Sequence, residues 1–131
     1  MAQAPEGRDI LLIAADWKER RLLYGELLEA GYDVKPVPGL AVALGFLLQK
    51  SVEPRLIVLD IHDDSDATPK SVQHLFTLSP DVPAIVIVGL MDHPAWEALQ
   101  TPKATLLTRP ISIGKVVDVV KQFLPGRNST Q

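Results

Sequence analysis

The sequence contains no cysteine, which excludes disulfide bonds, thiolate metal sites and thiol catalysis. It has no basic excess either, because 13 Lys and Arg residues against 16 Asp and Glu residues give a net charge of −3. That balance provides no electrostatic footprint for nucleic acid. The apolar runs are too short to span a bilayer, and the N-terminus lacks the apolar stretch of a signal peptide. These absences predict a cytoplasmic protein that binds neither nucleic acid nor membrane.

Several enzymatic signatures are also missing. No glycine-rich phosphate loop follows a predicted strand, which argues against a bound nucleotide or flavin. The three histidines, His62, His74 and His93, do not have the spacing of a histidine metal motif. No serine lies in a nucleophile-elbow pattern. The sequence therefore predicts a protein that is not an enzyme and that carries no cofactor.

The chain has the size and composition of one globular domain. It contains 131 residues, of which 47% are apolar and 22% are charged. A chain of this length buries a substantial core but has no room for a second domain. We place the domain at residues 9–124. The polar ends, residues 1–8 and 125–131, are predicted to be a flexible leader and a flexible tail or linker.

Strand-like and helix-like segments alternate along the chain. The predicted strands are Ile10–Ala14, Tyr32–Val37, Arg55–Asp60, Ala84–Leu90 and Thr105–Thr108. The predicted helices are Trp17–Ala30, Leu40–Lys50, Pro69–Leu78, His93–Gln100 and Ile113–Leu124. Such repeats favour an α/β fold in which helices cover both faces of a parallel sheet. We predict a five-stranded, doubly wound, flavodoxin-like sheet of order 2-1-3-4-5, with the strand that contains Pro36 at an edge.

Asp60 is the most informative residue of the predicted sheet. It follows the apolar run Leu56–Leu59, so a buried strand delivers one carboxylate to its carboxyl end. Open α/β sheets bind ligands at this end, where the strand order reverses. The pattern therefore predicts a functional site around Asp60.

Five sequence blocks in the right order give the chain a family resemblance. They are ILLI, LLEAGYDV, EPRLIVLD, VPAIVIVGL and the pair Arg109-Pro110. With these blocks the chain resembles the CheY-like receiver domains of two-component response regulators over nearly its whole length. The resemblance implies a role in bacterial phosphorelay signalling. It also implies protein partners, such as a histidine kinase or an output domain, and homodimer formation as one option.

The positions that carry chemistry in that family are largely changed. The resemblance makes Asp60 the phosphoacceptor position, but the two Mg²⁺-binding acidic residues are Ala14 and Ala15. The hydroxyl position is Val88, and the lysine position is Arg109. We therefore expect an atypical, pseudo-receiver domain that acts by protein–protein interaction without normal Mg²⁺-dependent phosphorylation. One alternative is a working phosphoacceptor that uses Mg²⁺ and Asp60; another is a small-molecule-binding flavodoxin-like domain.

Two residues near the expected site, Asp16 and Arg109, have two interpretations each. Asp16 begins a D-x-x-E pattern, so it either caps the first helix or supplies a displaced metal ligand. Arg109 either pairs with Asp60 or points to solvent, in which case backbone N–H groups satisfy Asp60. Pro110 follows a cis peptide bond in the family, and the resemblance implies the same here.

Two predicted helices carry candidate interface residues. The second helix is apolar all round, which predicts either an exposed docking strip or a helix that lies unusually deep. The candidates on this helix are Leu40, Val42, Leu44 and Leu47. Trp96 on the fourth helix is either an interface anchor or a core residue. Trp17 is predicted to cover the sheet end beside the acidic pocket.

Overall fold

The computed structural model describes residues 6–125. The five strands are β1 (Glu6–Ala14), β2 (Val34–Val37), β3 (Val52–Asp60), β4 (Ala84–Val88) and β5 (Ala104–Thr108). The helices are α1 (Trp17–Glu29), α2 (Leu40–Leu48), α3 (Pro69–Leu78), α4 (His93–Trp96) and α5 (Ile113–Phe123). A 3-10 turn, Glu97–Leu99, continues directly from α4. The alternation of strands and helices follows the predicted order.

The five strands form one parallel sheet in the order β2-β1-β3-β4-β5. This confirms the predicted flavodoxin-like topology. Strand β2 pairs only with β1 and lies at an edge, as Pro36 led us to expect. A proline has no N–H to donate to a second neighbour, so it is tolerated where a strand has only one.

The two long strands begin earlier than predicted. Strand β1 begins at Glu6, so residues 6–8 belong to the sheet and not to a leader. Residues 1–5 and 126–131 lie outside the described part of the chain. Strand β3 begins at Val52, because Val52 pairs with Glu6 at the start of β1. Pro54 pairs with Arg8 of β1, whereas β4 pairs with β3 only from Ile57 onward. Pro54 therefore has one strand neighbour, and its missing N–H breaks no ladder.

The region after β4 differs most from the prediction. Strand β4 ends at Val88, and Leu90 is exposed in the following loop. The helix predicted over His93–Gln100 is reduced to the four residues of α4 and the 3-10 turn. No side-chain hydrogen bond caps α4. A helix this short contributes little by itself and depends on the packing of Trp96 and Leu99, both of which are buried.

The core lies on both faces of the sheet, because successive residues of a strand point to opposite faces. Leu11, Ile13, Ile57 and Leu59 pack on the side covered by α2, α3 and α4. Ile10, Leu12, Leu56 and Val58 pack on the side covered by α1 and α5. Burial on both faces explains why the central strands are continuous apolar runs. The same burial leaves only strand ends and loops for polar side chains that act on ligands.

All the helices are short and amphipathic to different degrees. The longest, α1, has 13 residues and buries Leu23 and Leu27. Within residues 6–125, no helix is both long and apolar enough to cross a bilayer. Helix α2 is the most apolar, yet it buries only Leu40, Ala43 and Leu47, which share one face at helical spacing.

Candidate functional site at the carboxyl end of the sheet

Asp60 is the last residue of β3 and is almost fully buried, with 1% of its surface exposed. It pairs in register with Ala14 of β1 on one side and with Ile87 of β4 on the other. A buried carboxylate is stable only when hydrogen bonds or an opposite charge compensate for the loss of water. The partners of Asp60 therefore decide what this site does.

Both oxygens of the Asp60 carboxylate are hydrogen-bonded. The backbone N–H of His62 donates to Oδ1 at 3.0 Å, and the guanidinium of Arg109 donates from Nη2 to Oδ2. The ion pair proposed from the sequence is therefore confirmed. The alternative was half right, because a backbone N–H also serves Asp60, but Arg109 does not point away to solvent.

Arg109 reaches Asp60 because β5 and β4 position its backbone. Arg109 follows the last residue of β5, and its N–H donates to the carbonyl of Val88 at 2.8 Å. The peptide bond between Arg109 and Pro110 is cis, as expected. Ser112 then caps α5 by accepting from the N–H of Lys115. The guanidinium remains about one-quarter exposed, so it lies at the mouth of the site and closes it over Asp60.

The positions expected to hold Mg²⁺ have no side chain that can bind it. Mg²⁺ prefers about six oxygen ligands, usually with carboxylates among them. Ala14 is buried and Ala15 is half-buried, and neither side chain carries an atom that can bind a metal. The carbonyl of Ala14 instead accepts a hydrogen bond of 2.6 Å from Nη1 of Arg20, a residue of α1. With two arginines at the sheet end and alanines at the acidic positions, the residues present do not fit a Mg²⁺ site of the expected kind.

Solved structures of receiver domains share the fold of this chain. A response regulator receiver protein from Sinorhizobium medicae aligns with a TM-score of 0.72 at 20% identity, covering 95% of this chain and 98% of that one. The receiver domain of NtrX from Brucella abortus aligns at 0.73 and 20% identity, covering 94% and 100%. A protein described as adenylate cyclase from Rhodopirellula baltica aligns at 0.74 and 19% identity, covering 95% and 91%. This chain has the receiver-domain fold.

The likeness lies in the fold and not in close sequence similarity. No protein-family model matches the chain, and no curated protein is similar to it in sequence. At identities of 19–20%, the shared receiver fold fixes where Asp60 lies but not what it does. The chemistry must be argued from the residues that surround Asp60 in this chain.

Asp16 caps the first helix of the receiver fold, as the D-x-x-E pattern predicts. Its Oδ1 accepts from the N–H of Lys18 at 2.9 Å and from the N–H of Glu19 at 3.4 Å. Its other oxygen, Oδ2, lies 3.6 Å from Nε2 of His62. The cap interpretation is confirmed, and the metal interpretation is compatible with it because the two roles use different oxygens.

The loop between β3 and α3 is fixed by an aspartate whose role the sequence did not reveal. Oδ2 of Asp64 accepts from the N–H of Leu40 at 2.8 Å, and its Oδ1 accepts from the N–H of Asp66 at 3.1 Å. The N–H of Ile61 donates to the carbonyl of Ile87. Leu40 is the first residue of α2, which begins after Gly39 without a side-chain cap of its own. Gly39 has no side chain to cap α2, and this was the sequence signal that a residue of another element accepts from the N–H of Leu40.

The interface candidates have mixed outcomes. Leu40 and Leu47 are buried in the core, so they cannot form an exposed strip, and Leu44 is only partly exposed. Val42 is 42% exposed. Trp96 is 3% exposed and is a core residue rather than an available anchor. These corrections have one reason. The face of a helix that is buried depends on how the helix docks against the sheet, and an apolar composition does not specify that docking.

Trp17 does not cover the sheet end. Its side chain is 56% exposed, and it lines a shallow groove with Tyr24 of α1 and Pro36 of β2. The ammonium of Lys18 lies 5.8 Å from the centre of its ring. The indole therefore faces the β2 edge of the sheet, and Arg20 takes the position beside Ala14 that we had expected Trp17 to protect.

Proposed function

We propose that this chain is an atypical receiver domain of two-component signalling that works by protein–protein interaction, without normal Mg²⁺-dependent phosphorylation of Asp60. One observation carries the proposal: the guanidinium of Arg109 lies on the buried carboxylate of Asp60. The negative charge of Asp60, which a metal ion or an incoming phosphoryl group would use, is already neutralised by the guanidinium of Arg109.

Electrostatics oppose phosphoryl transfer to Asp60. The reaction depends on positioning and on neutralising charge at the phosphoryl oxygens. Without a metal, an anionic donor must approach an anionic carboxylate, and two unit charges at close range interact by about 4 kcal/mol at an effective dielectric near 20. Arg109 offsets only part of that repulsion, because its positive charge already compensates the buried carboxylate of Asp60.

The site also lacks the side chains that would couple phosphorylation to a conformational change. Val88 has no hydroxyl to donate to an added phosphoryl oxygen. The loop after Asp60 is already tied to α2 through Asp64. A switch requires two arrangements whose balance the modification changes. These contacts support a single arrangement, which suits a domain that presents a constant surface.

The proposed partners are other signalling proteins, with a histidine kinase or an output domain as the natural classes for a receiver fold. Exposed apolar side chains for such contacts include Val42 and Leu48 on α2. The proposal includes a cytoplasmic location, no enzymatic activity and no resident cofactor. A homodimer is one form that the interaction can take.

Intact mass measurement after incubation with a small-molecule phosphodonor and Mg²⁺ tests the proposal. We expect no mass increase in the natural chain. Asp60→Asn is the control for site specificity, and Arg109→Lys tests whether the guanidinium is what protects Asp60. A gain of one phosphoryl group that Asp60→Asn abolishes would contradict the proposal and make this chain a working phosphoacceptor.

A further inference from the structure

Three metal-ligating side chains converge beside the mouth of the site, from two loops that are distant in sequence. Nε2 of His62 lies 3.6 Å from Oδ2 of Asp16 and 3.5 Å from Oδ2 of Asp63. One ligand atom from each of the three residues lies within 4.8 Å of the others. Asp16 precedes α1, whereas His62 and Asp63 belong to the loop after β3.

The distances between these ligand atoms are closer to those between atoms bound to one metal ion than to those of hydrogen bonds between the side chains. An N–H···O hydrogen bond has a donor–acceptor distance of about 2.7–3.2 Å, and both contacts of His62 are longer. Zinc bonds to nitrogen and oxygen are about 2.0–2.2 Å long, so neighbouring ligand atoms in a tetrahedral shell lie roughly 3.3–3.5 Å apart. Small side-chain movements would bring all three atoms to bonding distance of one ion.

Contacts outside the cluster hold two of the three ligands near their places. Asp16 uses Oδ1 for the α1 cap, which leaves Oδ2 directed at His62. The backbone N–H of His62 is bound by Asp60. Asp63 has a φ of 60°, a left-handed conformation that aspartate tolerates better than most residues. Ligands positioned before binding lose less conformational freedom when an ion arrives.

We propose that Asp16, His62 and Asp63 form a binding site for a divalent transition-metal ion of the Zn²⁺ class. One imidazole nitrogen and two carboxylate oxygens suit Zn²⁺ better than Mg²⁺, which favours oxygen ligands alone. Two carboxylates with a neutral imidazole also balance the charge of a divalent cation. Three protein ligands leave a fourth position for water, as in other open zinc sites.

This site is separate from the phosphoacceptor position, and the proposal does not depend on whether Asp60 accepts a phosphoryl group. Asp60 is not a ligand, since both of its oxygens already accept hydrogen bonds. A bound ion would cross-link the loop before α1 to the loop after β3. It would therefore hold these two loops together, and the free energy of unfolding would rise with the logarithm of the free metal concentration once that concentration exceeds Kd.

Calorimetric titration of the untagged chain with Zn²⁺, with Co²⁺ absorption as a spectroscopic check, tests the site. We expect saturable binding of one ion that excess Mg²⁺ does not displace. His62→Ala should weaken binding by about tenfold or more, since even outer-shell changes have effects of that size. His74→Ala is the matched control, because His74 is exposed on α3 away from the cluster.

The variants give each outcome a clear meaning. Loss of binding in His62→Ala and in Asp63→Asn, with unchanged binding in His74→Ala, would support the site. Equal binding in His62→Ala and the natural chain would overturn it, as would the absence of saturable binding. Circular dichroism of each variant without metal shows whether a loss of binding reflects a loss of folding.

Discussion

Arg109 and Asp60 are 49 residues apart in the sequence and form an ion pair at the carboxyl end of the sheet. The carboxylate is buried and the guanidinium is largely covered, so the pair is shielded from water more than a surface salt bridge. Removing one member of such a pair leaves an uncompensated charge and is strongly destabilising.

Arg109→Ala should therefore destabilise the fold. We expect the free energy of unfolding to fall by about 2–3 kcal/mol, somewhat below the range for fully buried pairs because Arg109 retains some exposure. Urea denaturation measures this loss. Arg21→Ala on the exposed side of α1 is the control and should change stability by less than about 0.5 kcal/mol. A similar small effect for Arg109→Ala would show that the pair carries no stability.

Ala14→Asp should recreate part of an acidic metal site at a cost in stability. Ala14 is buried and pairs in register with Asp60, so a new carboxylate would meet one of like charge. We expect a loss of about 1–3 kcal/mol that Mg²⁺ partly restores. Ala14→Asn has the same size without the charge and should not respond to Mg²⁺. Thermal unfolding with and without Mg²⁺ distinguishes the two, and identical Mg²⁺ responses would refute the charge argument.

Asp64→Ala should loosen the loop after β3 together with the start of α2. The substitution removes the acceptor for the N–H of Leu40 and for that of Asp66. We expect a loss of about 1–2 kcal/mol and faster amide exchange at both places. Asp63→Asn in the absence of metal is the control, because asparagine also tolerates the left-handed backbone of this position and Asp63 accepts from neither N–H. Unchanged exchange at Leu40 in Asp64→Ala would argue against a tether between the loop and α2.

The two tryptophans should report opposite environments. Trp96 is buried and Trp17 is largely exposed. In Trp17→Phe the fluorescence comes from Trp96, so the emission should be blue-shifted and poorly quenched by acrylamide. Trp96→Phe should leave a red-shifted emission that is quenched readily. Trp96→Ala should also cost about 3–5 kcal/mol in unfolding free energy. Equal quenching in the two phenylalanine variants would contradict the docking of α4 against the sheet.

Much of the fold followed from local pattern. The alternation of apolar runs with helical spacing predicted five strands, and Pro36 predicted an edge position for its strand; both are observed. The D-x-x-E pattern likewise predicted the cap at Asp16. Each signal lies within a few residues, because strand and helix periodicity and helix capping are local properties of the chain.

The sequence alone therefore predicted the receiver fold and placed Asp60 at the carboxyl end of a buried strand. Its resemblance to receiver domains marked Ala14 and Ala15 as positions where acidic residues would be expected. The tertiary structure decided which partners meet. It placed Arg109 on Asp60, turned Leu47 into the core and brought His62 next to Asp16. These outcomes depend on how strands and helices dock across long sequence separations, and a local pattern carries no information about that docking.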